Sequence, residues 1–158
     1  MFKKISSLLA GAALLAVLAG CETTVGVPLV NPVVVQRLNS VNKAALATVV
    51  IYREINNQDQ GITPTILMNG DRLIKIRNGT AFVAAFRPGH YVFETDDRKS
   101  GTAVDLLPGK IIYLKVQIVL QFLGGYGRLL QMAPEQGRFE ATRLDLLPPN
   151  AVLMPGRF

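Results

Sequence analysis

One stretch leaves little freedom in what this chain folds into. From Ile112 to Phe122 every second position is apolar (Ile112, Leu114, Val116, Ile118, Leu120 and Phe122), while Lys115, Gln117 and Gln121 fall between them. Successive side chains of an extended strand point to opposite faces, so this period of two lays one face of a long strand on a core. A helix would scatter the same residues around its cylinder.

Shorter segments repeat the pattern. Residues 47–54 are rich in β-branched side chains and suit a first strand. Thr65 to Met68 and Arg72 to Arg77 flank Asn69-Gly70-Asp71, where Asn-Gly marks a hairpin turn because both residues tolerate positive φ. Thr80 to Phe86, His90 to Thr95 and Thr102 to Leu107 follow, separated by Arg87-Pro88-Gly89 and by the charged run 96–101. Gly124-Gly125-Tyr126-Gly127 breaks the long strand, and Arg128 to Met132 returns. Short strands at this spacing predict an all-β fold, an antiparallel β-sandwich of about seven strands. Its core is expected from Val49, Ile51, Phe82, Phe86, Tyr91, Phe93 and the even positions of 112–122. Residues 134–146 stay open between a short C-terminal helix, started by Pro134 and Glu135, and a final edge strand over 139–146. In the helical reading Phe139, Arg143 and Leu146 share a face, and Gly137 weakens the helix.

The N-terminal residues follow a different pattern. Lys3 and Lys4 precede Ile5 to Gly20, 16 residues without a charge, and the run ends Leu18-Ala19-Gly20-Cys21. That is shorter than the roughly 20 apolar residues a spanning helix needs, and it has the form of a secretory signal peptide. Leu-Ala-Gly-Cys resembles the lipobox of bacterial lipoproteins, and Cys21 is the chain's only cysteine. The resemblance implies diacylglycerol on the Cys21 thiol, cleavage before it and acylation of the new amino group. Two or more acyl chains suffice for stable anchoring. Glu22, rather than Asp, follows the cysteine. By the sorting rule of such lipoproteins this favours the periplasmic side of the outer membrane, with the cell surface and the outer leaflet of the inner membrane as alternatives. Loss of residues 1–20 removes Lys3 and Lys4 and lowers the net charge of +6 by two, to +4. No dense basic stripe remains to indicate a nucleic-acid partner.

The expected organisation is a signal peptide over 1–20, a lipidated N-terminus and tether over 21–45, the sandwich over 46–147 and a tail over 148–158. Pro28 and Pro32 discourage helix in the tether, where Val33-Val34-Val35 has the character of an edge strand.

Five motifs in order carry a family resemblance: Tyr52-Arg53-Glu54, Asn69-Gly70, Gly79-Thr80-Ala81-Phe82, Pro88-Gly89-His90-Tyr91 and Gly109-Lys110 running into Tyr113-Leu114-Lys115. Over about residues 46–133 the chain resembles a family of small bacterial lipoproteins known only as a domain of unknown function. Ile112 departs from it, standing where the family has the first of two tyrosines. The resemblance implies a transthyretin-like or PEGA-like β-sandwich and no known activity.

Signs of chemistry are sparse. His90 is the only histidine, the serines beyond the leader are Ser40 and Ser100, and no Gly-x-Ser-x-Gly elbow is present. No zinc-protease helix, phosphate loop or cysteine pair appears, so no catalytic residue, metal ligand or cofactor is assigned. Asp96 and Asp97, with Asp59 or Asp71, lack the spacing of a calcium loop and read as solvated turn carboxylates. Candidate contacts are Tyr126, between glycines, and a basic patch of Arg72, Lys75 and Arg77 facing acidic lipid or cell-wall groups. An ordinary polar sheet face and a plain hairpin tip explain the same residues. The sequence therefore points to a non-enzymatic binding or envelope-assembly role, with a membrane, another envelope protein or an anionic envelope component as partner. The alternatives are a hydrolase of cell-wall or lipid material using His90, which requires a pocket and a nearby carboxylate, and a glycan or small-ligand module using Tyr126 or Tyr52.

Overall fold

The structure, a computed structural model, describes residues 29–154. The leader, Cys21, Glu22 and the last four residues lie outside the described residues.

Two sheets pack face to face. Strands are β1 (Ala47–Arg53), β2 (Thr65–Met68), β3 (Asp71–Lys75), β4 (Thr80–Phe86), β5 (Gly89–Thr95), β6 (Gly101–Leu106), β7 (Ile111–Gln121), β8 (Gly124–Met132) and β9 (Asp145–Leu146). The order is β8-β7-β1-β4-β9 in one sheet and β3-β2-β5-β6 in the other. The all-β sandwich is thus as expected, with nine strands among the described residues. The first sheet is mixed, because β1 runs parallel to β7 and β4 parallel to β9. Alternation is the same in parallel and antiparallel pairs, so the pattern could not distinguish them.

The core between the sheets takes Val49, Ile51, Phe82, Phe86 and Phe93, with Leu114 and Val116 from the long strand. Tyr91 is half-buried and rests on Phe86 and Phe93, ring centroids 5.9 and 6.4 Å away. A register shift between Ile66 and Leu67 puts an extra residue into β3, so the neighbours Leu73 and Ile74 are both buried.

A second core lies on the outer face of the first sheet, and it corrects the tether. Residues Pro32–Val41 form helix α1, whose Val34, Leu38 and Val41 pack on Val50, Tyr52 and Val83. Pro32 takes the first helical position, where its missing N–H costs nothing, and the Asn31 side chain accepts from Val33 N at 3.0 Å. The apolar spacing is helical, and the valines read as an edge strand belong to it.

Residues Pro134–Ala141 form helix α2, so the helical reading holds there, and of the edge strand expected over 139–146 only the two-residue β9 is present. The expected face does not hold: Phe139 is exposed, and the buried residues of α2 are Gly137 and Ala141. A Cβ on Gly137 would sit 2.4 Å from Tyr113 Cβ, so glycine is what lets the helix lie on β7.

The long strand ends earlier than its alternation. Gln121 pairs with Gly124, leaving Phe122-Leu123 as a two-residue turn, and 124–127 belong to β8 instead of breaking the hairpin. Ile118 is half-buried, whereas Leu120 and Phe122 are exposed and leave the predicted core.

Candidate functional site

The polar side chains that the fold gathers lie at the end of the sandwich where β1 finishes. Arg53 closes a strand that is buried along its whole length. Its guanidinium donates to Asp59 Oδ1 at 2.5 Å, to Asp59 O at 2.7 Å and to the carbonyl of Ile62. The side chains are 2% and 4% exposed, so this is a buried ion pair with further hydrogen bonds on both partners. Asn56 donates to the other Asp59 oxygen at 3.0 Å and its backbone N–H donates to Asn78 Oδ1 at 2.9 Å. Loop 54–64 is therefore wrapped around one cation. Asp59 is an internal partner, which corrects its reading as a solvated turn carboxylate.

A second cluster lies on the outer side of β1 and β7. Lys115 donates to Glu140 Oε2 at 2.9 Å and pairs with Glu54, and the Tyr52 hydroxyl donates to the same Glu140 oxygen at 2.8 Å. Burial, then the hydrogen bond to Glu140, raises the pKa of the Tyr52 hydroxyl. Burial opposes the Lys115 ammonium, yet hydrogen bonds to Glu54 and Glu140 outweigh it and raise its pKa. Burial likewise opposes the Glu140 carboxylate, and donors Lys115, Gln136 and Tyr52 outweigh it and lower its pKa. Each group is thereby held in its ordinary charge state at neutral pH. A proton-transfer catalyst needs the reverse, a pKa near the working pH. This cluster ties α2 to the sheet.

Two shallow clefts flank the β7–β8 hairpin. One, of about 270 Å³, is lined by Arg53, Glu54, Asn56, Asp59, Lys115 and Gln117 among others. The other, of about 360 Å³, lies between Ile62, Pro64, Asp96, Asp97 and Tyr126. Tyr126 is half-buried there, with Lys99 Nζ 4.9 Å from its ring centroid. Gly125 and Gly127 are needed for close approach, since Cβ atoms there would meet Val119 O and Thr95 Cγ2, each at 2.9 Å. Arg72, Lys75 and Arg77 are exposed on and after β3 and line neither cleft. Asp97 is engaged by the Thr95 hydroxyl at 2.7 Å and by Lys99 N at 3.0 Å. Among the described residues no group of three or more His, Cys, Asp or Glu gathers as metal ligands would.

His90 has the carboxylate that a hydrolase reading requires: Nδ1 lies 2.8 Å from Asp105 Oδ1 across the β5–β6 pair. The side chains are 64% and 78% exposed, so the pair stands in solvent and not in a cavity. Ser100 precedes β6 at the far end of the β5–β6 pair, where its hydroxyl accepts from Leu129 N at 2.9 Å. Ser40 belongs to α1.

Sequence reasoning quoted Tyr52-Arg53-Glu54 and Lys115 but missed their partners. The available signal was Arg53 itself, a cation ending an otherwise uncharged run of strand-forming residues.

Fold and site together define a class: a mixed β-sandwich covered on one face by helices, with polar clusters that brace it and shallow clefts on its surface. Compared with protein-family models, with curated proteins and with solved structures, the chain matches none of them.

Proposed function

We propose that this protein is a lipid-anchored bacterial envelope protein with a non-enzymatic role in binding or envelope assembly. One observation carries the reading: a charge-free run behind Lys3-Lys4 ends in Leu18-Ala19-Gly20-Cys21, and Cys21 is the only thiol in the chain. Acylation there tethers the domain, and a peptidase that cuts before Cys21 releases the leader. The order of the five motifs supports kinship with small lipoproteins. The proposed location is the periplasmic side of the outer membrane.

The binding role draws its support from the end of the molecule that carries both clefts and Tyr126, with loop edges available to an envelope protein or an anionic component. A hydrolase has less behind it, since the His90–Asp105 pair is exposed and Ser100 lies at the opposite end of its strand pair.

Replacing Cys21 with Ser tests the anchor. The wild type is expected to sediment with membranes, to incorporate a palmitate analogue and to start at residue 21 by intact mass. Cys21→Ser is expected to be folded, unlabelled and released. A Cys21→Ser chain that still sediments, or a wild type with the leader attached or an unmodified thiol, would overturn the reading.

A further inference from the structure

The tip of the β7–β8 hairpin is apolar and bare. Phe122 is 99% exposed, Leu123 92% and Leu120 50%. Nothing in the fold requires large apolar groups there, because a two-residue hairpin turn favours glycine, asparagine or aspartate. Single exposed apolar residues are ordinary, but three within four positions at the tip of one hairpin make a patch.

The topology says what this patch faces. Thr80 of β4 pairs with Arg53 of β1 and with Asp145 of β9, so these three residues mark one end of the sandwich. β7 runs parallel to β1, with Lys115 beside Tyr52, and continues to Gln121 past that end. The chain enters the fold at the same end: Asn31 N donates to Thr142 O at 2.6 Å and Asn31 Nδ2 to Asp145 Oδ1 at 3.1 Å. Exposed Leu29 and Val30 precede it, and exposed Ile55 follows Arg53 there. The far end of the sandwich has Leu107 exposed.

Lengths agree. Val116 is level with Arg53, and the hairpin extends beyond it by Gln117 to Gln121, about 17 Å at 3.3 Å per residue. Asn31 lies ten positions after Cys21, a stretch of chain that spans at most about 35 Å. A bilayer reached by acyl chains on Cys21 is therefore within reach of the hairpin tip. Tyr126, with Lys99 against its ring, sits below the tip, where an amphipathic ring and a cation suit the headgroup level.

From this geometry we propose that the β7–β8 hairpin is a second membrane contact, which inserts Leu120, Phe122 and Leu123 into the bilayer that holds the Cys21 anchor. This rests on the anchoring reading above. The two contacts stand the sandwich on the end that bears the two clefts beside the hairpin, so a ligand of those two clefts is taken up at the lipid surface.

The chain contains no tryptophan, so one introduced at a surface position reports alone. Phe122→Trp and, as the far-end control, Leu107→Trp are made in the full lipidated chain. Both are reconstituted into vesicles of phosphatidylethanolamine and phosphatidylglycerol, with and without brominated acyl chains. Flotation with the vesicles reads the anchor, and quenching reads the tip. The expected result is that both variants float, that Phe122→Trp emission shifts to shorter wavelength and is lost to the brominated lipid, and that Leu107→Trp is unchanged. Floating chains in which the two probes behave alike overturn the hairpin contact and leave the anchor standing. A benzoylphenylalanine placed at position 122 that crosslinks in cells to protein and not to lipid assigns the tip to a protein partner and also overturns the proposal. Chains that do not float remove the anchor and the proposal with it.

Discussion

Arg53 shows how much one side chain organises. It ends β1 inside the protein, and without Asp59 its charge would be buried and unpaired. Removing one partner of such a pair leaves the other as an uncompensated buried charge, at a cost of about 3–5 kcal/mol. Arg53→Met is therefore expected to lower the free energy of unfolding by about that amount, measured by urea denaturation. Pairing it with Asp59→Leu is expected to recover most of the loss, because the stranded carboxylate is then gone. A single variant as stable as the wild type, or a double variant worse than the single, would show that the pair does not hold loop 54–64.

Helix α1 carries the lesson at the level of elements. Its sequence, PVVVQRLNSV, contains three consecutive valines and follows a proline, which reads as extended backbone. The spacing of Val34, Leu38 and Val41 is helical, and what decides between the readings is an apolar surface on the outer face of β1 and β4. β-branched residues lose little in a helix that buries them, since packing outweighs propensity. Leu38→Ala truncates a buried side chain in that second core and is expected to cost about 2–5 kcal/mol. A change within about 0.5 kcal/mol, the ordinary range for surface sites, would mean that α1 is not docked. Helix α2 obeys the same logic in reverse, for Gly137 sacrifices helix propensity for contact with Tyr113.

At the scale of the whole molecule, the cluster of Tyr52, Glu54, Lys115 and Glu140 joins β1, β7 and α2, so its charges couple to global stability. The Glu140 carboxyl lies below its ordinary 4.5, so its contribution is complete above that value and is lost as pH falls through the lower folded one. The Lys115 ammonium lies above its ordinary 10.5, so its contribution is complete below that value and is lost as pH rises through the higher folded one. The advantage of the wild type over Glu140→Gln is expected to be constant from weak acid to weak base and to shrink in acid below the carboxylate range. Denaturation midpoints of the two proteins across pH check it, and an advantage unchanged at strongly acid pH would contradict the assignment.

How far the fold could be read in advance depended on whether the determining contact was local. The strand pattern of residues 47–132 and the Asn69-Gly70 turn were legible, because alternation and positive φ are properties of a few neighbouring residues, whereas Pro134 left helix and strand both open. For the site, Arg53 was visible as an oddity and Tyr126 as an aromatic among glycines, but their surroundings were not. Lys115 read only as a residue on the face away from the core, because the helix that covers it lies 25 residues away in sequence. Leu120 and Phe122 read as core because alternation records which way a side chain points, and not whether a second sheet extends far enough to meet it. What the residues determined by themselves is thus a sandwich of short strands. What the tertiary structure alone decided is the parallel pairing of β1 with β7, the helical cover over the first sheet, the buried charges and the bare hairpin tip. Each of these depends on surface brought together from distant parts of the chain, where no short-range pattern reaches.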